Sequence, residues 1–160
     1  MFVTKIEDNE GNVIDRFQPR MNEVISDAAA NKMLYMLKAV VDGGTATRLR
    51  YKYNLKGEMA GKTGTTNNNS DAWFMGITPS LVSGCWVGGD DRDIHFDRMD
   101  MGQGAAMALP IFAYYMKKVY ADKHLNYNED AVFDLDEGYN PCEFSDSGLE
   151  DVNDIEEVYE

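Results

Sequence analysis

From Ala60 to Gly88 three β-rich runs follow one another with only tight connections between them, and that succession leaves the chain few folds to choose from. Asn67-Asn68-Asn69-Ser70 separates the first run from Ala72-Trp73-Phe74-Met75-Gly76-Ile77-Thr78. Thr78-Pro79-Ser80 then turns the chain into Leu81-Val82-Ser83-Gly84-Cys85-Trp86-Val87-Gly88. Runs separated by such turn residues predict an antiparallel meander. Both faces of the middle run are apolar, which predicts helices packed above and below in a layered α+β fold. Trp73 and Trp86 are expected as core aromatics rather than as platforms for sugars.

The remaining elements fit around this sheet. Phe2–Ile6 and Val13–Phe17, joined by turn residues 7–12, predict an N-terminal hairpin. Ser26 can cap a helix whose apolar positions Ala30, Met33, Leu34, Leu37, Val40 and Val41 recur at three and four, and Gly43-Gly44 should stop it. Arg48, Arg50, Lys52 and Lys56, interleaved with Tyr51 and Tyr53, predict a solvated loop or short helix rather than a nucleic-acid surface. Ala105–His124 carries Leu109, Phe112, Met116, Val119 and Tyr120 at helical spacing, with Pro110 expected to kink it or mark its first turn. Asp90, Asp91, Asp93, Asp97 and Asp100 lack the glycine and glutamate of a calcium loop and predict a solvated acidic loop.

Charge divides the chain sharply. Residues 1–121 hold 14 Asp/Glu against 14 Lys/Arg, whereas 122–160 hold 14 acids and one lysine, so the whole net charge of -13 sits in the tail. Acidity of this kind argues against nucleic-acid binding. Domain organisation is accordingly expected as a folded segment at 1–124 and an acidic, disordered tail at 125–160. Cys85 and Cys142 are predicted free thiols, His95 and His124 loop residues, and no metal or cofactor is expected.

The chemistry concentrates in the first strand of the meander, Glu58-Met-Ala-Gly-Lys-Thr-Gly-Thr-Thr66. A phosphate loop ending at Gly61-Lys62-Thr63 would need a glycine at position 56, which is lysine, and would have to open a helix where asparagines follow. As a strand, the segment projects Thr63 and Thr65 from one face and Lys62 from the other. Gly64 lets a ligand backbone lie close, and a carboxylate would meet hydroxyls and a cation. Three residues alone recur by chance, and taken alone they favour a turn-flanked strand with a solvated lysine.

Wider context carries more. Ala60-Gly61-Lys62-Thr63-Gly64-Thr65-Thr66, Asp71-Ala72-Trp73-Phe74, Cys85-Trp86-Val87-Gly88 and Asp90-Asp91, with Gly44-Thr45 upstream, resemble in content and order the C-terminal half of the transpeptidase domain of class A penicillin-binding proteins. That resemblance spans roughly residues 2–120. It implies the C-terminal part of a penicillin-binding/β-lactamase-like fold, with a D,D-transpeptidase activity that cross-links D-alanyl-D-alanine stem peptides through a serine acyl-enzyme trapped by β-lactams. It also implies a glycosyltransferase domain upstream and a site on the periplasmic side of the bacterial inner membrane.

By the same resemblance Lys62 would stabilise charge and hydrogen-bond a serine of a second motif. Thr63, Gly64, Thr65 and Thr66 would bind substrate, and the Thr65 amide would give one oxyanion-hole donor. The family's Ser-x-x-Lys and Ser-x-Asn motifs are absent from the chain. A serine without a neighbouring base is a weak nucleophile, so the segment alone is expected to be inactive and to need the upstream half of the domain as partner. Peptidoglycan stem peptides and β-lactams are the other implied partners, and a truncated core would suit self-association as a homodimer. A non-catalytic peptide-binding module of the envelope and a serine β-lactamase segment are the alternatives.

Overall fold

A computed structural model describes residues 3–18, 22 and 24–135. The N-terminal hairpin forms as an antiparallel pair, β1 (Lys5–Glu7) and β2 (Val13–Arg16), and makes a sheet of its own. Its turn is held by Asp8, whose carboxylate accepts from the amides of Glu10 at 2.9 Å and Asn12 at 2.8 Å. Bonds from Asn12, through its side chain and then its amide, hold the Asp8 carboxyl below its ordinary pKa.

Helix α1 (Asp27–Asp42) begins where Ser26 Oγ accepts from the Ala29 amide at 3.3 Å and stops at Gly43. It packs on β3 (Ala60–Thr65) through the stripe ending in the fully buried Val41, while Met33 and Met36 stay exposed. Between them lies the short helix α2 (Arg48–Tyr51). This connection is less solvated than its basic residues suggest, because Leu49, Tyr53 and Leu55 are buried. Arg50 is the organiser: its guanidinium donates to the carbonyls of Leu55 and Gly57 at 2.9 and 2.7 Å and pairs with Asp42 at 2.7 Å. Five fixed donors on one planar group suit it to tie three chain segments together.

The predicted meander is present as β3, β4 (Asp71–Ile77) and β5 (Val82–Gly88), in that spatial order. Gly61, Thr63 and Thr65 stand opposite Gly76, Phe74 and Ala72, so these six share one face. Helix α4 (Gly104–Ala121) covers that face, reached through the single-turn α3 (Met99–Gly102). Phe112 of α4 meets Phe74 at 4.9 Å between ring centroids, and it fits because position 76 is glycine: a Cβ there would lie 2.3 Å from the Phe112 ring. Leu49, Met59, Leu109 and Met116 close the core around them. Pro110 lies inside α4 and does not mark its first turn, because the helix starts six residues earlier, where Gly104 is drawn against β3.

Among the described residues, α4 leaves the other face of β4 and β5 bare. Trp73 (45% exposed), Met75 (42%) and Trp86 (48%) lie on it, the two indoles 6.5 Å apart. The expectation of helices on both sides thus holds for one side, and the tryptophans are not core residues here. Their alternation with Phe74, Cys85 and Val87 obeys the strand period, but the period alone does not say whether a second layer is present.

The segment expected to dissolve after residue 124 instead returns to the body as far as it is described, to Leu135. Glu129 accepts from the Lys56 amide at 2.8 Å, Tyr127 packs at the edge of the core, and the Phe133 amide donates to Glu58 at 2.7 Å. Glu58 in turn holds Lys38 of α1 at 2.6 Å. An acid-rich composition hides such a strap, since its anchors are main-chain amides and not apolar side chains. The rest of the predicted tail, with Cys142, lies outside the described residues.

Burial works to raise the Glu58 pKa, but the hydrogen bonds from Lys38 and the Phe133 amide and the charges of Lys38 and Arg50 outweigh it, leaving it below the ordinary 4.5. A carboxyl depressed on folding stabilises the native state above its unfolded pKa and loses that contribution as pH falls through the folded value. Urea midpoints measured between pH 7 and pH 3 should therefore fall below about pH 4.5, and Glu58→Gln should flatten that part of the curve. An unchanged profile in the variant would assign the acid sensitivity to other carboxyls.

Candidate functional site

Strand β3 is the outer strand of its sheet: β4 pairs with one side of it, and no strand among the described residues pairs with the other. An unpaired edge presents backbone amides and carbonyls to any extended chain that approaches. Lys62, Thr63, Gly64 and Thr65 occupy this edge consecutively.

Lys62 points to the bare face with an exposed side chain, and its ammonium donates to the Thr63 carbonyl oxygen at 2.7 Å. Among the described residues no carboxylate stands within ion-pair distance of it. The charge is thus held at the edge without being neutralised.

The two threonines project from the opposite face, as the strand period requires. Thr63 Oγ1 meets Thr45 Oγ1 at 3.0 Å, in the connection after α1, and Thr65 Oγ1 accepts from the Gly104 amide at 3.0 Å. Accepting a bond leaves the Thr65 hydroxyl proton free to donate outward. Both hydroxyls are therefore oriented from behind by groups on other elements. Gly104 can serve only as glycine, because a Cβ would lie 2.5 Å from both the Gly64 and Trp73 carbonyl oxygens. Sequence inspection placed Gly44-Thr45 near the motif but missed Gly104, whose one signal is the Gly102-Gln103-Gly104 run before a helical pattern.

Thr66 follows the last residue of β3. Its hydroxyl turns into the β3–β4 connection, accepting from the Asp71 amide at 2.8 Å and lying 2.9 Å from Ser70 Oγ and 3.2 Å from Asp71 Oδ2. Ser70 is buried at 7% exposure. Asp71 Oδ1 also takes the Trp86 indole N–H at 3.1 Å. This polar knot, with Asn68 and Asn69 at φ 59° and 56°, shapes the turn. Thr66→Val would leave the Asp71 amide without its partner and is expected to destabilise the fold by about 1–3 kcal/mol in urea unfolding.

Gly64 has its missing side chain on the bare face, where a Cβ would stand 3.1 Å from Trp73 Cβ. Around the same end of the sheet a cavity of about 370 Å³ lies between Ala72, Val87, Ile94, Phe96 and Met107. His95 borders it from the loop, as a loop histidine, with Asp97 at 3.9 Å. Cys85 lies half-buried in β5 with a free thiol whose pKa burial pushes up, which leaves it a poor nucleophile. The described residues contain no group of three His, Cys, Asp or Glu placed to hold a metal, and no helix long and apolar enough to cross a membrane.

An exposed cation, two braced hydroxyls and an open strand edge together can receive an extended peptide and fix a carboxylate at its end. Residues 1–84 match the model of the penicillin binding protein transpeptidase domain. The chain is 41% identical over 118 residues to penicillin-binding protein 1A of Aquifex aeolicus, covering 74% of this chain and 15% of that protein. It is 36% identical over 110 residues to penicillin-binding protein 1B of Vibrio cholerae, covering 69% and 13%. The crystal structure of penicillin-binding protein 1A from Haemophilus influenzae superposes with a TM-score of 0.64 at 25% identity, over 82% of this chain and 24% of that one. The chain thus spans a small fraction of the length of the relatives it matches.

Proposed function

The chain belongs to the family of penicillin-binding protein transpeptidase domains, and from that premise we propose that it supplies the Lys-Thr-Gly strand of a serine D,D-transpeptidase. One observation carries this: an unpaired strand edge bears Lys62, without a carboxylate partner among the described residues, on one face and the hydroxyls of Thr63 and Thr65 on the other. The terminal carboxylate of a D-alanyl-D-alanine stem peptide is held by those hydroxyls and by the Lys62 charge. Its backbone lies along Gly64 and Thr65. A serine on another segment attacks the penultimate carbonyl, releases D-alanine and forms an ester that an amine from a neighbouring peptide then opens.

Negative charge grows on the carbonyl oxygen during attack, and the Thr65 amide is one of two donors aimed at it, the other lying at the serine. Thr66 supports the strand end and does not touch substrate. β-Lactams share the carboxylate, present a strained ring amide where the stem peptide has its ordinary one, and are trapped as an ester of the same serine. The bare face with Trp73, Met75 and Trp86 packs against the part of the domain that carries the serine, which is why its alternation pattern is that of a two-sided strand. The same reading assigns the site to the periplasmic side of the inner membrane, beside peptidoglycan.

The test is covalent labelling by a fluorescent penicillin. The chain alone should remain unlabelled and the chain joined to a serine-bearing remainder of the domain should label; labelling of the lone chain on one of its own serines would overturn the assignment. Gly64→Ala offers a second check. Its methyl can be accommodated by a small shift of Trp73, so stability should change by about 1 kcal/mol or less. Acylation of the joined enzyme should drop by at least about tenfold because the methyl obstructs the strand edge.

A further inference from the structure

The connection from α1 to α2 brings to β3 a hydroxyl that the Lys-Thr-Gly strand does not itself supply. Thr45 stands 18 residues before Thr63, and their Oγ1 atoms meet at 3.0 Å. Thr45 is exposed, so its side chain is not there to fill the core. Its neighbours do the anchoring. Ala46 is fully buried, and its amide donates to the Val40 carbonyl at 3.0 Å. Thr47 donates to the Gly44 carbonyl from its amide at 3.3 Å and from its hydroxyl at 3.1 Å. Gly44 lies so close to the end of α1 that a Cβ would stand 2.9 Å from Val40 Cα and 3.0 Å from the Val40 carbonyl oxygen. Position 45 is therefore held beside β3 by groups that make no use of its side chain, which leaves the hydroxyl for Thr63.

The direction of that bond decides what Thr63 can offer a ligand. A hydroxyl has one proton and two lone pairs. If Thr63 donates to Thr45, its proton is spent inside the protein; if it accepts from Thr45, the proton faces outward. Thr65 is already in the second state, because the Gly104 amide can only donate. We propose that Thr45 is a positioning residue for the ligand carboxylate: it donates to Thr63 Oγ1, and Thr63 aims its own proton at the anion. This rests on the reading of the β3 edge as a carboxylate site. Two relays, Thr45 through Thr63 and Gly104 through Thr65, then converge on one acid, and no proton changes owner. A hydroxyl that accepts while it donates is polarised by the bond behind it, which strengthens the outward bond by about 10–30%. The anion in turn fixes the direction of the relay, since a carboxylate only accepts.

In the joined enzyme, Thr45→Val keeps the outline of the side chain and removes the donor. Stopped-flow acylation by benzylpenicillin should show binding before acylation weakened about five- to tenfold. The limiting acylation rate should change by less than about twofold, because the carboxylate is held alike before and during attack. Thr45→Ser restores the hydroxyl and should recover binding to within about twofold of the parent. Thr63→Val should weaken binding by about tenfold or more, and Thr45→Val added to it should cost less than about twofold further, since the relay has then lost its second member. Unchanged binding in Thr45→Val, a loss confined to the limiting rate, equal losses with and without the Thr63 hydroxyl, or a Thr45→Ser variant no better than Thr45→Val would each overturn the relay while leaving the carboxylate site standing. Parental binding in Thr63→Val would instead overturn the carboxylate site itself, and the relay with it.

Discussion

Gly104→Ala is expected to destabilise the fold by about 2 kcal/mol or more, although alanine is the better helix former by roughly 1 kcal/mol. The added methyl would stand 2.5 Å from two carbonyl oxygens, those of Gly64 and Trp73. Both belong to paired strands, so neither can rotate away as a side chain would. Either α4 retreats from the sheet or β3 and β4 part, and both movements stretch the bond from the Gly104 amide to Thr65 Oγ1. Thermal unfolding should show a fall in Tm of roughly 6–8 °C for a domain of this size. If propensity governed instead, Tm would rise. A double-mutant cycle with Thr65→Val isolates the shared bond, since the second substitution should cost less once the helix has been displaced. The same cycle read by acylation in the joined enzyme asks how far the helix braces the site.

Local patterning made much of this architecture legible. Turn residues at 67–70 and 78–80 marked the meander, Ser26 and Gly43 bracketed α1, and the alternation at 62–65 placed Lys62 opposite the threonines. What stayed hidden depends on partners distant in sequence. Nothing near Arg50 reveals that its donors will find carbonyls at 55 and 57, and nothing near Glu129 reveals an amide at 56. Trp73 and Trp86 show a complementary limit. Their spacing reports a strand with two apolar sides, while the presence of a second layer depends on what packs there. The resemblance groups Thr66 with the site, whereas the strand ends at Thr65 and the Thr66 hydroxyl turns inward to the Asp71 amide. Motif membership and side-chain direction part company where an element stops.

In the joined enzyme, Lys62→Ala is expected to slow acylation by penicillin about 10²–10³-fold, equivalent to roughly 3–4 kcal/mol of lost transition-state stabilisation. Two features of the strand support so large a figure. The ammonium has no carboxylate partner among the described residues, so its field is available to an anion at the edge. Its one internal bond, to the Thr63 carbonyl, is to its own neighbour and can be exchanged for a ligand without breaking a tertiary contact. For the same reasons its removal should leave the fold nearly unchanged, within about 0.5 kcal/mol by urea unfolding. Lys62→Arg retains the charge but spreads it over a planar fork too wide for a point contact, so partial recovery is expected. Acylation within threefold of the parent in Lys62→Ala would remove this residue from the mechanism, whereas a parallel loss of stability would mean that the strand edge, and not the charge, had been damaged.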